Sequence, residues 1–215
     1  MVIRYPEVYH MAQMGSWPSI QMHGLLSTSA LLDLFEIQGA ERFKLESQWR
    51  PQSRKITHPV HGSAVIRDQW PIPDNELKKV LIDMETREWY ELINRKTFFW
   101  ANWDGLAMML GAINYRDKPH SVLAVDTLSL LDRHMQEVTL TDQNSGSVYS
   151  KKLRGRDTFR KVSEFSSRWV DELAVDYSVP DVVDLTTRVE VWKANNMLSQ
   201  IYARASPDAP RKVGV

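Results

Sequence analysis

Strand-like and helix-like segments follow one another along this chain in no regular order, and this irregularity limits the folds open to it. The inventory predicts about five to seven strands, with helices clustered early and in mid-chain. Strand patterns fall at 2–11, 63–68, 97–101, 120–127 and at both ends of 171–192. A doubly wound sheet requires a regular strand–helix–strand alternation, which this pattern lacks. The sequence therefore predicts an α+β protein.

The length of 215 residues is long for one domain and short for two. We predict a single domain over 1–204, because a hydrophobic fraction of 43% and eight tryptophans supply ample core material. The ending ASPDAPRKVGV, 205–215, is predicted to be a disordered tail.

Charge and composition exclude several classes of function. The 27 basic residues are balanced by 27 acidic ones, so no global positive field attracts nucleic acid. The absence of cysteine excludes disulfides, thiolate zinc sites and cysteine nucleophiles. No apolar run reaches the roughly 18 residues of a membrane span, and the N-terminus lacks the apolar core of a signal peptide. We therefore expect a cytoplasmic protein without a membrane partner.

Common catalytic and binding motifs are missing. The sequence contains no GxGxxG, no GxxxxGK[ST] and no GxSxG, so nothing indicates a Rossmann nucleotide site, a P-loop or a hydrolase elbow. His58 and His61 have a spacing that suggests a metal pair, but Pro59 between them disfavours a helical site. We expect no metal.

Two short segments carry local positive charge. They are RPQSRK, 50–55, interpreted as a mobile loop, and SKKLRGRDTFRK, 150–161. Such runs are usually solvated loops, and phosphate contact is the alternative. Candidate phosphate or acceptor contacts are Arg67, Arg154 and Arg156. Between these segments, DQNSG flanked by EVTLT and SVYS predicts a β-hairpin.

The opening stretch combines a strand, a helix begun by Pro18, a stop at Gly24 and a Ser/Thr turn, with the next helix capped by Thr28 or Ser29. His10 lies in that strand, where a histidine is either a hydrogen-bonded structural residue or a ligand contact. Three pieces of the stretch carry a motif: YHMA at 9–12, WPSI at 17–20 and HGLLS at 23–27.

In this order the pieces resemble the first motif of DarT-type and related ADP-ribosyltransferases. The resemblance implies an NAD site. Its contacts would be His10, Met11, Ala12, Ser16 and Ser27. Ala12 stands where the family usually has threonine, and Ser16 where it often has an asparagine that contacts the nicotinamide ribose.

Two later pieces resemble the same superfamily in the same order. TFFW at 97–100 is similar to its aromatic-ended strand, so Phe99 or Trp100 would stack on nicotinamide. ELAV at 172–175, then VP at 179–180 and a strand to Trp192, is similar to its ending, where the glutamate is catalytic; this residue is Glu172 here. Glu190 is the alternative glutamate, and it is exposed if its neighbouring valines are core.

The resemblance implies a split mixed or antiparallel β-sheet with flanking helices. It also implies an NAD-dependent ADP-ribosyltransferase, toxin-like or defence-related, with His10 and Glu172 catalytic, a DNA, RNA or protein acceptor, and an antitoxin as a further partner. The alternatives are an NAD glycohydrolase, an RNA 2′-phosphotransferase-like enzyme, or a catalytically inactive interaction module. The whole chain, with IRDQWP, NRKTFFW, NSGS and RGRDTF, also resembles a family of bacterial proteins.

Overall fold

An eight-stranded antiparallel sheet forms the centre of the structure, a computed structural model that describes residue 1 and residues 4–205. The strands are β1 (Glu7–Gln13), β2 (Leu25–Leu26), β3 (Arg54–His58), β4 (Gly62–Ile66), β5 (Lys96–Trp100), β6 (Pro119–Asp126), β7 (Val138–Thr141), β8 (Arg160–Lys161), β9 (Glu172–Asp176), β10 (Ser178–Val179), β11 (Thr186–Lys193) and β12 (Asn196–Ala203). The helices are α1 (Trp17–His23), α2 (Thr28–Leu34), α3 (Gly39–Glu46), α4 (Asp74–Leu77), α5 (Thr86–Asn94), α6 (Trp103–Gly111), α7 (Thr127–His134) and α8 (Val182–Leu185). The predicted α+β class is confirmed.

The sheet is divided into two halves that meet at a single residue pair. Its strand order is β12-β11-β6-β1-β5-β9-β7-β8. β1 pairs with β6 along its whole length, but it pairs with β5 only where Tyr9 lies opposite Trp100. Beyond this pair the backbones of β1 and β5 separate, which leaves a gap in the middle of the sheet.

Hydrophobic clusters cover both faces of this sheet. The largest contains residues from both halves, including Val8, Phe99, Leu123, Leu173 and Val189. On the other face, α6 packs through Leu106 and Leu110 against Met11 and Val122. The β3–β4 hairpin is a separate small sheet, held by the cluster that contains Leu32, Phe35, Leu45, Ile56 and Ile66. This hairpin stands beside the gap between the two halves.

The helix that follows β1 begins and ends as predicted. Pro18 lies in its first turn, and Gly24 ends it with a φ of +77°. A Cβ on Gly24 would lie 2.6 Å from the Cα of Pro180, so glycine is required for both conformation and space. The next helix begins differently: Ser27, not Thr28 or Ser29, is its N-cap, with Oγ accepting from the backbone N–H of Ala30.

The predicted hairpin around DQNSG is wrong. Residues 148–150 do not form a strand, and β7 pairs with β8 and β9 instead. The physical reason is tertiary: the buried Arg154 side chain donates to the carbonyl oxygens of Ser145 and Ser147. These bonds hold the segment after β7 as a loop, so the local turn signal does not produce a ladder.

Other boundaries also differ from the sequence prediction. Residues 50–55 are not a mobile loop throughout, because Arg50 is buried and β3 begins at Arg54. The edge strand β12 follows β11 and was not predicted. The predicted tail at 205–215 lies, after Ala205, outside the described residues. Nowhere in the described ranges is there a helix with the length and apolar character needed to cross a membrane.

Candidate functional site

A cleft with a volume of about 1030 Å³ opens where β1 and β5 separate. Residues from the ends of both strands line it, together with α1, the β3–β4 hairpin and the loop after β7. Most of the residues singled out from the sequence are brought together on its wall: His10, Met11, Ala12, Ser16, Ser27, Arg67, Trp100 and Glu172. The site is therefore assembled from parts of the chain that are far apart in sequence.

His10 spans the point where the two half-sheets separate. Its Nδ1 lies 2.8 Å from the carbonyl oxygen of Phe98 on β5. A carbonyl only accepts, so Nδ1 carries the proton and Nε2 of the neutral ring carries a lone pair. Burial lowers the pKa of His10 to about 4, with a further contribution from the charge of Arg67. The ring is neutral at pH 7, and towards a ligand hydroxyl it acts as an acceptor rather than as a donor.

The other residues of the first motif use their polar groups locally. The Ser16 hydroxyl donates to the Gln13 carbonyl at 2.7 Å, and the Ser27 hydroxyl is the cap of α2. The side chains of Met11 and Ala12 are buried in two different hydrophobic clusters. Neither side chain offers a polar group to the cleft.

Of the aromatic residues on β5, Phe98 and Trp100 line the cleft, and Phe99 does not. Phe99 is fully buried in the main hydrophobic cluster, because side chains alternate between the faces of a strand. The expectation that Phe99 contacts a cofactor is therefore corrected. Trp100 is fixed by α6: its Nε1 donates to the Met109 sulfur at 3.3 Å, and a Cβ on Gly105 would lie only 2.6 Å from its ring.

Glu172 is a buried carboxyl group at the wall of the cleft. It begins β9, opposite Trp100 in the register, and only 5% of its surface is exposed. The backbone N–H of Ser145 donates to Oε2 at 3.0 Å. Burial raises the pKa of Glu172 to about 7, and the nearby Asp171 adds to the rise, whereas Ser145 and Arg154 oppose it. Such a group is balanced between its acid and base forms near neutral pH.

Arg67 brings a positive charge to the same cleft. Its Nη1 donates to the Met11 carbonyl at 3.0 Å, and its guanidinium carbon lies 4.6 Å from the centre of the Tyr115 ring. Its Nη2 is buried and has no hydrogen-bond partner in the described part of the chain. An unpartnered donor of this kind is suited to an anionic or carbonyl oxygen of a ligand.

The other two candidate arginines do not reach the cleft. Arg154 is 1% exposed, and its side chain donates to the Ser145 and Ser147 carbonyls in the loop after β7. Arg156 is exposed and forms an ion pair with Glu88 at 2.8 Å. Neither arginine therefore lines the cleft, and an acceptor contact of Arg156 outside it stays a prediction.

The alternative glutamate also lies elsewhere. Glu190 lies on β11 with a largely buried side chain, whose carboxylate accepts from Arg188 and from the Trp192 indole. Within the described residues, no group of three or more histidine, aspartate or glutamate side chains has the arrangement of a metal site. The cleft is lined by further charged and titratable residues, which are His23, Arg50, Asp68, Lys96, Asp104, Lys152 and Asp171. Glu172, His10 and Arg67 are the ones in which a predicted site residue also has a strongly shifted pKa or an unpaired donor.

Sequence reasoning missed several residues of the site. For TFFW the resemblance indicates Phe99 or Trp100, although alternation along a strand puts Phe98 on the same face as Trp100. Gln69 and Ser145 carry no motif by themselves. The NSGS segment that contains Ser145 was noted only as part of a family resemblance.

The sequence profile of a family of unknown function, DUF7002, matches residues 6–197. The chain belongs to this family. No curated protein and no solved structure matches it.

The matched region of this DUF7002 protein contains the whole cleft. It begins just before β1 and ends within β12, so His10, Arg67, Trp100 and Glu172 all lie inside it. The cleft thus lies within the part of the chain that the family profile matches.

Proposed function

We propose that this protein is an NAD⁺-dependent ADP-ribosyltransferase that modifies a macromolecular acceptor, either a nucleic acid or a protein. The observation that carries the proposal is the meeting of His10, Trp100 and Glu172 in one cleft. These residues come from three separate motifs that resemble those of the superfamily, in the same order. A split sheet with flanking helices is also what that resemblance implies, and the gap between β1 and β5 supports it.

In the proposed reaction, the bond between C1′ of the nicotinamide ribose and the ring nitrogen breaks. Its electron pair leaves with nicotinamide, and positive charge develops on the ribose, as in glycoside hydrolysis. The Glu172 carboxylate stabilises that charge and takes the proton of the acceptor nucleophile as the new bond to C1′ forms. Such a role typically contributes ~10²–10⁴-fold to the rate.

The remaining groups orient the substrate. The lone pair on His10 Nε2 accepts from a ribose hydroxyl, and the ring of Trp100 packs against nicotinamide. Aromatic contacts of this kind contribute about 0.5–1.5 kcal/mol beyond burial. The free Nη2 of Arg67 donates to a phosphate oxygen of the dinucleotide.

An RNA 2′-phosphotransferase is the weaker alternative. It requires several basic groups around the substrate phosphate, and Arg154 and Arg156 lie away from the cleft. NAD⁺ hydrolysis differs from transfer only in the nucleophile. Product analysis separates them: free ADP-ribose alone indicates hydrolysis, and a labelled macromolecule indicates transfer. Failure to bind NAD⁺ at millimolar concentration would favour an inactive interaction module.

The test is a calorimetric and thermal-shift titration of the purified protein with NAD⁺, followed by measurement of nicotinamide release. We expect saturable binding in the wild type and its loss in His10→Ala. Glu172→Gln should retain binding and lose turnover by ~10²-fold or more. Glu190→Gln, which changes a glutamate outside the cleft, is the matched control and should retain both. Absence of wild-type binding at millimolar NAD⁺ contradicts the proposal.

A further inference from the structure

We propose that Gln69 is a base-specificity residue that accepts a hydrogen bond from the 6-amino group of adenine, at the end of the cleft away from Glu172. The inference deepens the proposed function and rests on it for the orientation of the ligand. The contact itself is defined by the geometry around Gln69.

Gln69 has a side-chain oxygen that accepts no hydrogen bond within the described residues. The Gln69 residue is only 8% exposed, and its Oε1 is buried without a hydrogen-bond partner among the described residues. Gln69 lines the cleft. A buried polar atom left unpaired costs free energy, so a ligand that donates to this atom removes that cost.

The polarity of this amide is fixed by its neighbours. Arg50 can only donate, and its Nη2 donates to Asn94 Oδ1 at 3.2 Å. Asn94 Nδ2 in turn donates to the Glu46 carbonyl at 2.8 Å, so its Oδ1 is the acceptor for both neighbours. Gln69 therefore offers Nε2 to Asn94 Oδ1, at 3.4 Å, and its Oε1 is left as the free atom.

The position of Gln69 along the cleft identifies which end of the ligand it meets. Glu172 lies opposite Trp100, at the end of β5, whereas Asn94 precedes its start at Lys96. Four steps of about 3.3 Å separate Lys96 from Trp100, about 13 Å in all. With its reacting ribose at Glu172, a dinucleotide is long enough to place its far base near Gln69.

Arg67 occupies the intermediate position. It bonds to Met11, which an extended β1–β5 register would place opposite Phe98, in the middle of β5. Its free Nη2 is thus suited to the phosphates between the two ends of the ligand. The order Glu172, Arg67, Gln69 matches the order ribose, phosphate, base.

The chemistry at the far end favours adenine. Pro71, Ile72 and Ile93 give this part of the cleft an apolar lining suited to a flat ring. Adenine presents a 6-amino donor, which complements Gln69 Oε1, whereas hypoxanthine presents a carbonyl oxygen at the same position and places acceptor against acceptor. The site therefore distinguishes adenine from hypoxanthine by the group at position 6 of the ring.

The test compares AMP with IMP by calorimetry on the wild-type protein. Both carry the same ribose and phosphate, so only the base differs. We expect AMP to bind about tenfold more tightly, as the loss of one hydrogen bond to a buried acceptor implies. Gln69→Met should lower the affinity for AMP to that for IMP, and Gln200→Met on β12 should change neither.

The comparison of AMP with IMP uses only the wild-type protein, so its result does not depend on whether a variant folds. Equal affinity for AMP and IMP, or no binding of AMP, overturns the inference even if NAD⁺ is turned over. A preference for AMP without any NAD⁺ turnover supports the base site and counts against the proposed transferase. A failure of one proposal is thus distinguishable from a failure of the other.

Discussion

His10 donates a 2.8 Å hydrogen bond from Nδ1 to the carbonyl oxygen of Phe98, across the point where β1 and β5 separate. One side chain therefore joins the two half-sheets at the entrance of the gap. The same bond selects the tautomer, so the conformation of the sheet also decides which ring atom is available to a ligand.

We predict that His10 remains neutral down to pH about 4, because burial opposes its protonation. Histidine NMR signals followed between pH 3 and 8 should give a midpoint near 4 and the Nδ1–H tautomer. His10→Gln assigns the signal by its disappearance. A midpoint near the usual value of about 6.5 would contradict the effect of burial, and a neutral Nε2–H tautomer would contradict the bond to Phe98.

Glu172 should make the protein less stable as the pH rises. The unfolded chain loses this proton near the ordinary glutamate value of 4.5, whereas the folded protein retains it to about 7. The free energy of unfolding therefore falls between these values, by about 3 kcal/mol in total. Glu172→Gln should be more stable than the wild type at pH 8 and equal to it at pH 4. Thermal melts at both pH values measure this.

The control for this measurement is Glu190→Gln, which changes a glutamate on β11 outside the cleft. It should not reproduce the pH-dependent gain. If Glu172→Gln has the same melting temperature as the wild type at pH 8, the carboxyl group is not protonated by burial.

Arg154 and Arg156 lie in one RGR segment, but their substitution should have very different effects on the stability of the protein. Arg154→Met leaves the Ser145 and Ser147 carbonyls without their donor, at a cost on the order of 2–4 kcal/mol of stability. It also removes a nearby positive charge, which should raise the pKa of Glu172 further. Arg156→Met breaks only an exposed ion pair, whose charges are screened by water. Urea unfolding of both variants tests the contrast, and equal midpoints would contradict it.

Gly105→Ala should displace the Trp100 ring, because the new Cβ would lie 2.6 Å from it. Overpacking of this kind costs about 1–3 kcal/mol. Gly111→Ala is the matched control at the end of the same helix: its Cβ meets nothing within 4 Å, so the better helix propensity of alanine should stabilise by up to about 1 kcal/mol. Thermal unfolding and tryptophan fluorescence measure the two effects. A stabilised Gly105→Ala would mean that α6 does not fix the ring.

Structural features that are determined by neighbouring residues could be predicted from the sequence, whereas features that depend on distant residues could not. Proline at the start of α1 and Gly24 at its end act through their own backbone, and both were predictable. The gap in the sheet arises from the register of Tyr9 and Trp100, which are 91 positions apart and carry no local signal. Alternation separates Phe98 from Phe99, but only the tertiary structure decides which face meets the cleft. Likewise, the burial of Arg154 depends on the loop that folds around it.

The two carbonyl groups at the entrance of the gap are already occupied. The register that pairs Tyr9 with Trp100 would next bring Met11 opposite Phe98, and the oxygens of these residues accept from Arg67 and His10. Both side chains therefore occupy carbonyl groups that further β1–β5 pairing would need. We therefore expect a substitution at either position to change the width of the opening as well as its chemistry. A loss of ligand affinity in such a variant thus has a mechanical part, which amide hydrogen exchange on β1 and β5 would measure separately.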